Sequence, residues 1–281
     1  MSLRATDQLL RFVLKRAETI VPLTLKEQDV NFYLVHSLGG DIGSYSTLAQ
    51  LISGQFKVFG IQATKDVIES SSAWTVPRLA AHYVDEIHRF QPTGPIILGG
   101  WSAGAVISLE MAQQFRLRGR NVACLVIFDG ILKNTDGELR PWDPRYQLML
   151  LCNLPRWIRD DFVRGKQYRN LVRLGKKLRA KHAIDGFLNT SSWPQSAAIF
   201  SRQLYDSLES YVPKIYDGSI LLYVAKTQPL THLFQVAAAW TRISRCIEIV
   251  KVSGTHLSLI KEPRVRDVAE HLSRRLRTFI E

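Results

Sequence analysis

Short apolar runs alternate with amphipathic segments along the chain from residue 32 onward. The runs are rich in Val, Ile, Leu and aromatic residues and are bounded by Gly, Asp or Ser, which is typical of buried β-strands. The predicted strands are Phe32–His36, Phe56–Ile61, Ile96–Gly99, Ala123–Phe128, Ser219–Ala225 and Ile247–Val252. Helical spacing of apolar positions predicts helices over Val76–Phe90, Ala103–Leu117 and Pro263–Ile280. Strands that alternate with helices build a mostly parallel sheet covered on both faces, so an α/β fold is expected.

One stretch interrupts this alternation. About ninety residues separate Phe128 from Ser219, and they have helical character without a convincing buried strand. Because a structureless loop of that length is improbable in a compact domain, we expect an inserted helical lid. The predicted organisation is an N-terminal segment over 1–30, a core over 31–131 and 215–281, and a lid over 132–214.

Length and composition restrict the class of protein. A chain of 281 residues with 46% hydrophobic residues fits one domain that carries an insertion. No apolar run approaches the length of about 18 residues that a membrane span needs, so no membrane segment is predicted. Near the N-terminus the apolar stretches are broken by Arg11, Lys15 and Arg16, which does not fit a signal peptide. We therefore expect a cytoplasmic protein.

The three cysteines, Cys124, Cys152 and Cys246, are widely spaced and suggest neither a disulfide framework nor a zinc site. Cys124 and Cys246 lie in or beside apolar runs and are expected to be packing residues. None of the three sits on a turn after a predicted strand, so a cysteine nucleophile is not expected.

The net charge of +12 is concentrated in one segment. Residues 140–181 hold twelve Lys and Arg against three Asp, so +9 of the total lies there. A uniformly basic protein would suggest affinity for nucleic acid, whereas a local concentration suggests a surface for one partner. We therefore expect no nucleic-acid binding. The alternative is a solvated helix face, which is what a charge run usually is.

The strongest chemical signal is the segment Gly99–Gly104, which contains the pattern G-x-S-x-G with Ser102 at its centre. It follows the apolar run Pro95–Leu98 and precedes an amphipathic helix, as the motif requires. The glycines allow a sharp turn, and the helix N-terminus stabilises negative charge that develops near Ser102 Oγ. Together with the predicted sheet, the motif indicates an α/β-hydrolase fold with Ser102 as the nucleophile.

A serine nucleophile needs a base. His256 follows the run Ile247–Val252 in a short polar turn and comes after Ser102 in the chain, which is the order that this fold requires. The other histidines lie within predicted helices, in the lid, in a loop or before the serine. They are His82, His88, His271, His182, His232 and His36. His256 is therefore the predicted base, with a capping or loop histidine as the alternative.

The third member of the triad must hold the imidazole in the correct tautomer. Many hydrolases of this fold place that acid after the strand that follows the insertion, but residues 226–231 contain no carboxylate. Asp217 lies at the amino end of that strand, which is the wrong end. Asp129 directly ends the run Cys124–Phe128 at the correct edge, so the acid is predicted there. A turn-starting Asp is the alternative.

An oxyanion hole needs two backbone N–H groups. One is expected from Ala103, directly after the nucleophile. The other is expected from the turn His36–Gly40 after the first strand, where glycines let N–H groups point into the site. Leu38 is the predicted donor, with Ser37 and Gly39 as alternatives.

These segments resemble the thioesterase domains of nonribosomal peptide and polyketide synthases. Phe32–Tyr45, FYLVHSLGGDIGSY, is similar to the family's first strand and oxyanion loop, and Phe59–Gln62 is similar to its second strand. Gly94–Asp129 is similar to the family throughout. The family's acid maps onto Asp129, and its histidine maps onto the histidine of Gly254-Thr255-His256. The likeness covers residues 20–131 and 215–281, and the middle corresponds to the family's variable lid.

The resemblance implies an acyl chain that arrives as a thioester on the phosphopantetheine arm of an acyl or peptidyl carrier protein. Ser102 would take the acyl group, water or a nucleophile within the substrate would release it, and no cofactor of the protein itself is implied. Because carrier proteins of these pathways tend to be acidic, the basic lid is a candidate docking surface. The predicted docking residues are Arg169, Arg173, Lys176 and Lys177. The chain departs from many relatives in having Ser37 after His36, where they have proline, and in its basic lid.

Two other functions fit the same residues. A carboxylester hydrolase or acyltransferase of this fold would carry the same motif, because G-x-S-x-G does not distinguish esters from thioesters. A catalytically inactive hydrolase fold could serve as a binding module, although the complete candidate triad argues against it. A protein that acts alone and a domain cut from a synthase are equally plausible.

Overall fold

The computed structural model describes residues 18–25, 28–133, 142–163, 193–228 and 235–279. Within these ranges seven strands form one sheet in the order β1-β3-β2-β4-β5-β6-β7. The strands are β1 Ile20–Pro22, β2 Asn31–Val35, β3 Lys57–Ile61, β4 Ile96–Trp101, β5 Val122–Phe128, β6 Ile220–Thr227 and β7 Ile247–Thr255. β1 pairs antiparallel with β3, and every other neighbouring pair is parallel. The mostly parallel sheet predicted from the sequence is confirmed.

Helices cover both faces of this sheet. In chain order they are α1 Ser46–Ile52, α2 Lys65–Ile68, α3 Val76–Phe90, α4 Ala103–Leu117, α5 Pro144–Trp157, α6 Gln195–Ser210, α7 Val236–Ile243 and α8 Arg264–Arg277. A short 3-10 helix, Gly43–Tyr45, precedes α1, and a π-helix, Ile158–Val163, continues α5. None of the helices in the described ranges is both long and apolar enough to span a bilayer.

The alternation of side chains along the strands divides the core in two. Tyr33 and Val35 of β2 point to one face, where α3, α4, α6 and α7 pack. Phe32 and Leu34 of the same strand point to the other face, where α1 and α8 pack. Since both faces are buried, the central strands are apolar at nearly every position, which is why continuous apolar runs marked them in the sequence.

The predicted lid spans residues 132–214, and the described part of it is helical. Its helices α5 and α6 differ in their surroundings. α5 exposes several apolar side chains, among them Leu148 and Leu151. α6 instead buries Phe200 and Leu204 in the core layer that contains α3 and α4. α6 therefore belongs to the packing of the core face, although the sequence assigned it to the lid.

One prediction about the cysteines is wrong. Cys124 of β5 is buried, as expected, but Cys246 is exposed. Cys246 lies in the turn between α7 and β7. The apolar run that suggested burial begins only at the next residue, where the strand starts.

Candidate active site

Ser102 lies on the turn that joins β4 to α4. Its backbone has φ 58° and ψ −120°, which is an unfavourable conformation for a residue with a Cβ atom. The Ser102 N–H donates to the Phe128 carbonyl at 3.3 Å, and its carbonyl accepts from the Ala105 N–H at 3.2 Å. These bonds hold the serine at the carboxyl end of the sheet, directly before a helix N-terminus.

The two outer glycines of the motif are required by close packing around this turn. A Cβ atom on Gly100 would lie 2.2 Å from the carbonyl group of Gly104. A Cβ atom on Gly104 would lie 2.2 Å from the Val35 carbonyl oxygen at the end of β2. Only glycine lets the turn, the first turn of α4 and the end of β2 approach this closely.

His256 and Asp129 meet beside this turn. His256 directly follows β7, and its Nδ1 lies 2.9 Å from Asp129 Oδ2. Both residues are buried, with exposed fractions of 8% and 3%. A carboxylate only accepts hydrogen bonds, so the imidazole proton sits on Nδ1 and the lone pair remains on Nε2.

Asp129 is fixed by the neighbouring strand β6. Its N–H donates to the Tyr223 carbonyl at 2.8 Å. Its Oδ1 accepts from the Ala225 N–H at 2.9 Å, so each carboxylate oxygen has a partner. Like Ser102, it has a positive φ, 51°. The orientation of the carboxylate toward His256 is therefore determined by the backbone of β6.

Trp101 connects the Ser102 turn to His256, a contact that no sequence pattern indicated. The indole ring stacks on the His256 imidazole with ring centroids 5.0 Å apart and an interplanar angle of 28°. The indole N–H also donates to the His256 carbonyl at 3.1 Å. Because Trp101 directly precedes Ser102, these contacts hold His256 against the turn that carries the serine.

The predicted oxyanion turn lies beside the first turn of α4. The Gly40 N–H donates to the Ser37 carbonyl at 2.9 Å, which closes a β-turn with Leu38 and Gly39 at its centre. Ala103 is the first residue of α4, where an N–H group has no acceptor within the helix. The structure therefore puts both predicted donor segments at the carboxyl ends of two neighbouring parallel strands, β2 and β4.

Tyr45 ties this turn region to the serine turn. Its O–H donates to the Val35 carbonyl at 2.6 Å, and its oxygen accepts from the Trp101 N–H at 2.8 Å. Burial raises the pKa of Tyr45. The phenol is therefore neutral and keeps the proton that it donates.

Two further sequence candidates have partners of their own. His36 is fully buried, and its two ring nitrogens lie within hydrogen-bond distance of the Ser37 carbonyl and the Tyr83 hydroxyl. Asp217 pairs with Arg116 at 3.3 Å at the amino end of β6. Six predicted residues lie outside the described residues. They are His182, His232, Arg169, Arg173, Lys176 and Lys177.

Comparisons with known proteins indicate the family of this chain. The family model described as a thioesterase domain matches residues 31–276. Thioesterase frbE of Dothideomycetidae sp. (strain 11243) is 27% identical over 254 residues, which cover 85% of this chain and 86% of that protein. Malpibaldin synthetase of Mortierella alpina is 25% identical over 244 residues, which cover 86% of this chain and 4% of the synthetase.

A solved structure shows the same fold. The thioesterase domain of NocB from the nocardicin cluster superposes with a TM-score of 0.62 at 23% identity, covering 92% of this chain and 98% of that domain. Other relatives include a non-reducing polyketide synthase of Preussia isomera and a dimodular nonribosomal peptide synthase of Bacillus subtilis (strain 168). The fold is therefore that of the α/β-hydrolases, and the chain belongs to the family of thioesterase domains that occur in nonribosomal peptide and polyketide synthesis.

Proposed function

We propose that this chain is a serine thioesterase that releases an acyl, peptidyl or polyketide chain from the phosphopantetheine arm of a carrier protein. The observation that supports the serine mechanism is the Asp129–His256 pair, 2.9 Å apart, beside the strained turn that carries Ser102. A base oriented by a buried acid, next to a partly exposed nucleophile position, is the arrangement that acyl transfer uses.

In the first half-reaction, Ser102 Oγ attacks the thioester carbonyl carbon while His256 Nε2 removes the hydroxyl proton. The carbonyl oxygen becomes an oxyanion, and we assign its stabilisation to the N–H groups of Ala103 and Leu38. The carbon–sulfur bond then breaks, and the imidazolium returns its proton to the departing thiolate of the pantetheine arm. The products are the acyl-Ser102 ester and the free thiol of the carrier.

In the second half-reaction, a hydroxyl or amine attacks the ester carbon of the acyl-enzyme, and His256 takes the proton of the attacking group. When the attacking group is water the product is a free acid, and when it belongs to the substrate the product is a ring. The bond to Ser102 Oγ breaks, and the proton on His256 returns to the serine. All proton transfers use protein groups, so activity should persist after dialysis against EDTA.

The first test is the variant Ser102→Ala. Loss of the nucleophile of a triad lowers turnover by on the order of 10⁴–10⁶, and labelling by a fluorophosphonate should disappear. Ser108→Ala is the matched control, because Ser108 lies on α4, directly after the turn that carries Ser102, and its hydroxyl donates to the Ala105 carbonyl at 2.9 Å. Ser102→Ala activity above about a tenth of that of the unmodified protein would contradict the serine mechanism.

Kinetic measurements on the unmodified protein distinguish the proposed function from the two alternatives. Acyl-pantetheine thioesters and short p-nitrophenyl esters should be compared by kcat/KM. A preference for the thioesters supports the proposal, whereas a preference for the esters indicates a carboxylester hydrolase. Absence of fluorophosphonate labelling at Ser102 in the unmodified protein would indicate an inactive binding module.

A further inference from the structure

Two successive peptide groups of the turn Ser37–Gly40 are held by side chains that lie outside the turn. The Ser37 carbonyl oxygen lies 2.6 Å from His36 Nδ1, in addition to its bond from the Gly40 N–H at 2.9 Å. The Leu38 carbonyl accepts from the hydroxyl of Ser201, on α6, at 3.0 Å. The Ser37 and Leu38 carbonyl groups therefore have hydrogen-bond partners in addition to the bond that closes the turn.

The direction of a carbonyl fixes the direction of the N–H in the same peptide group. In a trans peptide the C=O and the N–H are coplanar and point in opposite directions. The Ser37 carbonyl and the Leu38 N–H share one peptide group. Its oxygen is held toward His36 and Gly40, so the Leu38 N–H points away from them.

The tautomer of His36 follows from its partners. A carbonyl oxygen only accepts hydrogen bonds, so Nδ1 carries the proton that bonds to Ser37. In the neutral ring Nε2 is then an acceptor, and the Tyr83 hydroxyl, 2.7 Å away, donates to it. Both side chains are fully buried, and the rings meet edge-on with centroids 5.5 Å apart. These two hydrogen bonds fix the orientation of the His36 imidazole next to the turn.

We propose that His36 is a positioning residue of the oxyanion hole and acts through the Ser37–Leu38 peptide group. Its Nδ1–H orients that group, and by hydrogen bonding to the carbonyl it makes the Leu38 N–H a stronger donor, since hydrogen bonds in a chain polarise one another. Tyr83 supports His36, and Ser201 holds the following peptide group. The inference rests on the proposed function, and it favours Leu38 over Ser37 and Gly39 as the second donor.

The experiment compares His36→Leu with His36→Asn. Leucine removes the donor and keeps a similar volume, whereas the asparagine amide can place an N–H near the position of Nδ1. Removal of an oxyanion donor itself costs on the order of 10²–10³ in kcat, so loss of its orientation in His36→Leu should cost about 10–100-fold in kcat with little change in KM. His36→Asn should restore most of that loss.

A second measurement uses phenylboronic acid, whose boron forms a tetrahedral anion on Ser102 Oγ. Its affinity should fall in His36→Leu by a factor similar to the fall in kcat, because the boronate oxygen occupies the same hole. His271→Leu is the matched control. His271 Nδ1 also lies within hydrogen-bond distance of a tyrosine hydroxyl, that of Tyr223 at 3.0 Å, with the rings edge-on. It should leave kcat and boronate affinity unchanged.

Several outcomes would overturn the inference. One is that His36→Leu is folded by circular dichroism and keeps kcat and boronate affinity within about threefold of the unmodified protein. Another is that His36→Asn is no better than His36→Leu. If His36→Leu does not fold, the Tyr83→Phe variant tests the inference instead, since it removes only the hydroxyl that donates to His36. A kcat and boronate affinity unchanged in that variant would overturn the proposal, and a parallel fall in both would support it. Failure of the proposed function would instead appear in the unmodified protein, as absence of turnover and of fluorophosphonate labelling.

Discussion

Ser102 and Asp129 share an unusual backbone conformation. They are the non-glycine residues with positive φ within the described ranges, and they end the adjacent strands β4 and β5. Each such residue costs roughly 1–3 kcal/mol and persists only where its surroundings hold it. The placement of both side chains at one edge of the sheet was predictable, because parallel strands end together. The strained backbone of Ser102 is typical of the motif, whereas that of Asp129 had no sequence signal, since it depends on a hydrogen bond to the Tyr223 carbonyl that forms only in the folded sheet.

Asp129→Asn should remove activity and keep the fold. Asparagine tolerates positive φ, and its carbonyl oxygen can still accept from the Ala225 N–H. The amide cannot stabilise the imidazolium, and its NH₂ group opposes the proton on Nδ1 of His256, so kcat should fall by about 10⁴-fold by analogy with other triads. Steady-state kinetics and a thermal melt would test this. A loss below about tenfold would mean that another carboxylate orients His256.

Trp101→Leu should slow acylation of Ser102. It removes the ring that stacks on His256 and the N–H that donates to the His256 carbonyl. Each contact contributes about 0.5–1.5 kcal/mol, so the rate of fluorophosphonate labelling should fall about tenfold, and Trp101→Phe should lie between. Trp74→Leu is the control, because Trp74 also donates to a backbone carbonyl, that of Val67 at 2.8 Å. Equal rates for Trp101→Leu and Trp74→Leu would show that Trp101 has no influence on His256.

At the scale of elements, all six predicted strands and three predicted helices are present in the structure. They were predictable because each contains enough apolar positions to show the run of a buried strand or the spacing of a helix. β1, with three residues, has no such pattern, and its assignment depends on pairing with β3. The short helices α1, α2 and α7 were missed for the same reason. The predicted ends of β6 and β7 were two and three residues too early, since both strands continue into polar residues.

The described part of the lid is anchored to the carboxyl end of β6, which no sequence pattern indicated. The Asn153 amide of α5 pairs with the backbone of Gln228, accepting from its N–H at 2.8 Å and donating to its carbonyl at 2.7 Å. Asp160 of the π-helix accepts from the Thr227 hydroxyl at 2.7 Å. These bonds join segments about 70 residues apart in the chain, a separation beyond the reach of periodicity.

Thr227→Val should destabilise the protein in a pH-dependent way. Hydrogen bonding from Arg159 is the largest cause that lowers the pKa of Asp160, and the Thr227 hydroxyl contributes. A carboxyl with a lowered pKa contributes stability at neutral pH, and that contribution is lost as the pH falls through the folded pKa. Urea unfolding at pH 7 should show a loss of about 1–2 kcal/mol in the free energy of unfolding, and the difference should shrink toward pH 3. Thr241→Val is the control, since the Thr241 hydroxyl donates only to the Ala238 carbonyl, at 3.0 Å. A difference that is independent of pH would show that Thr227 does not act through Asp160.

At the scale of the molecule, the sequence defines a charge distribution that the fold does not explain. The segment 140–181 carries +9 of the net +12, and most of it lies outside the described residues. None of the Lys and Arg residues of this segment is among the residues predicted for the triad or the oxyanion hole. A function for it therefore has to be tested through binding of a partner and not through catalysis.

Reversal of the lid charge should weaken the use of a carrier-bound substrate selectively. We expect the variant with Arg169, Arg173, Lys176 and Lys177 changed to Glu to raise KM for an acyl carrier protein thioester and to leave turnover of a small pantetheine thioester nearly unchanged. The physical reason is that charges at the rim of an interface act mainly on the association rate and weaken with salt, because the Debye length falls from about 10 Å at 0.1 M to about 3 Å at 1 M. Added salt should therefore raise KM of the unmodified protein toward that of the variant. Equal effects on both substrates, or no effect on either, would mean that the segment is a solvated face and not a docking surface.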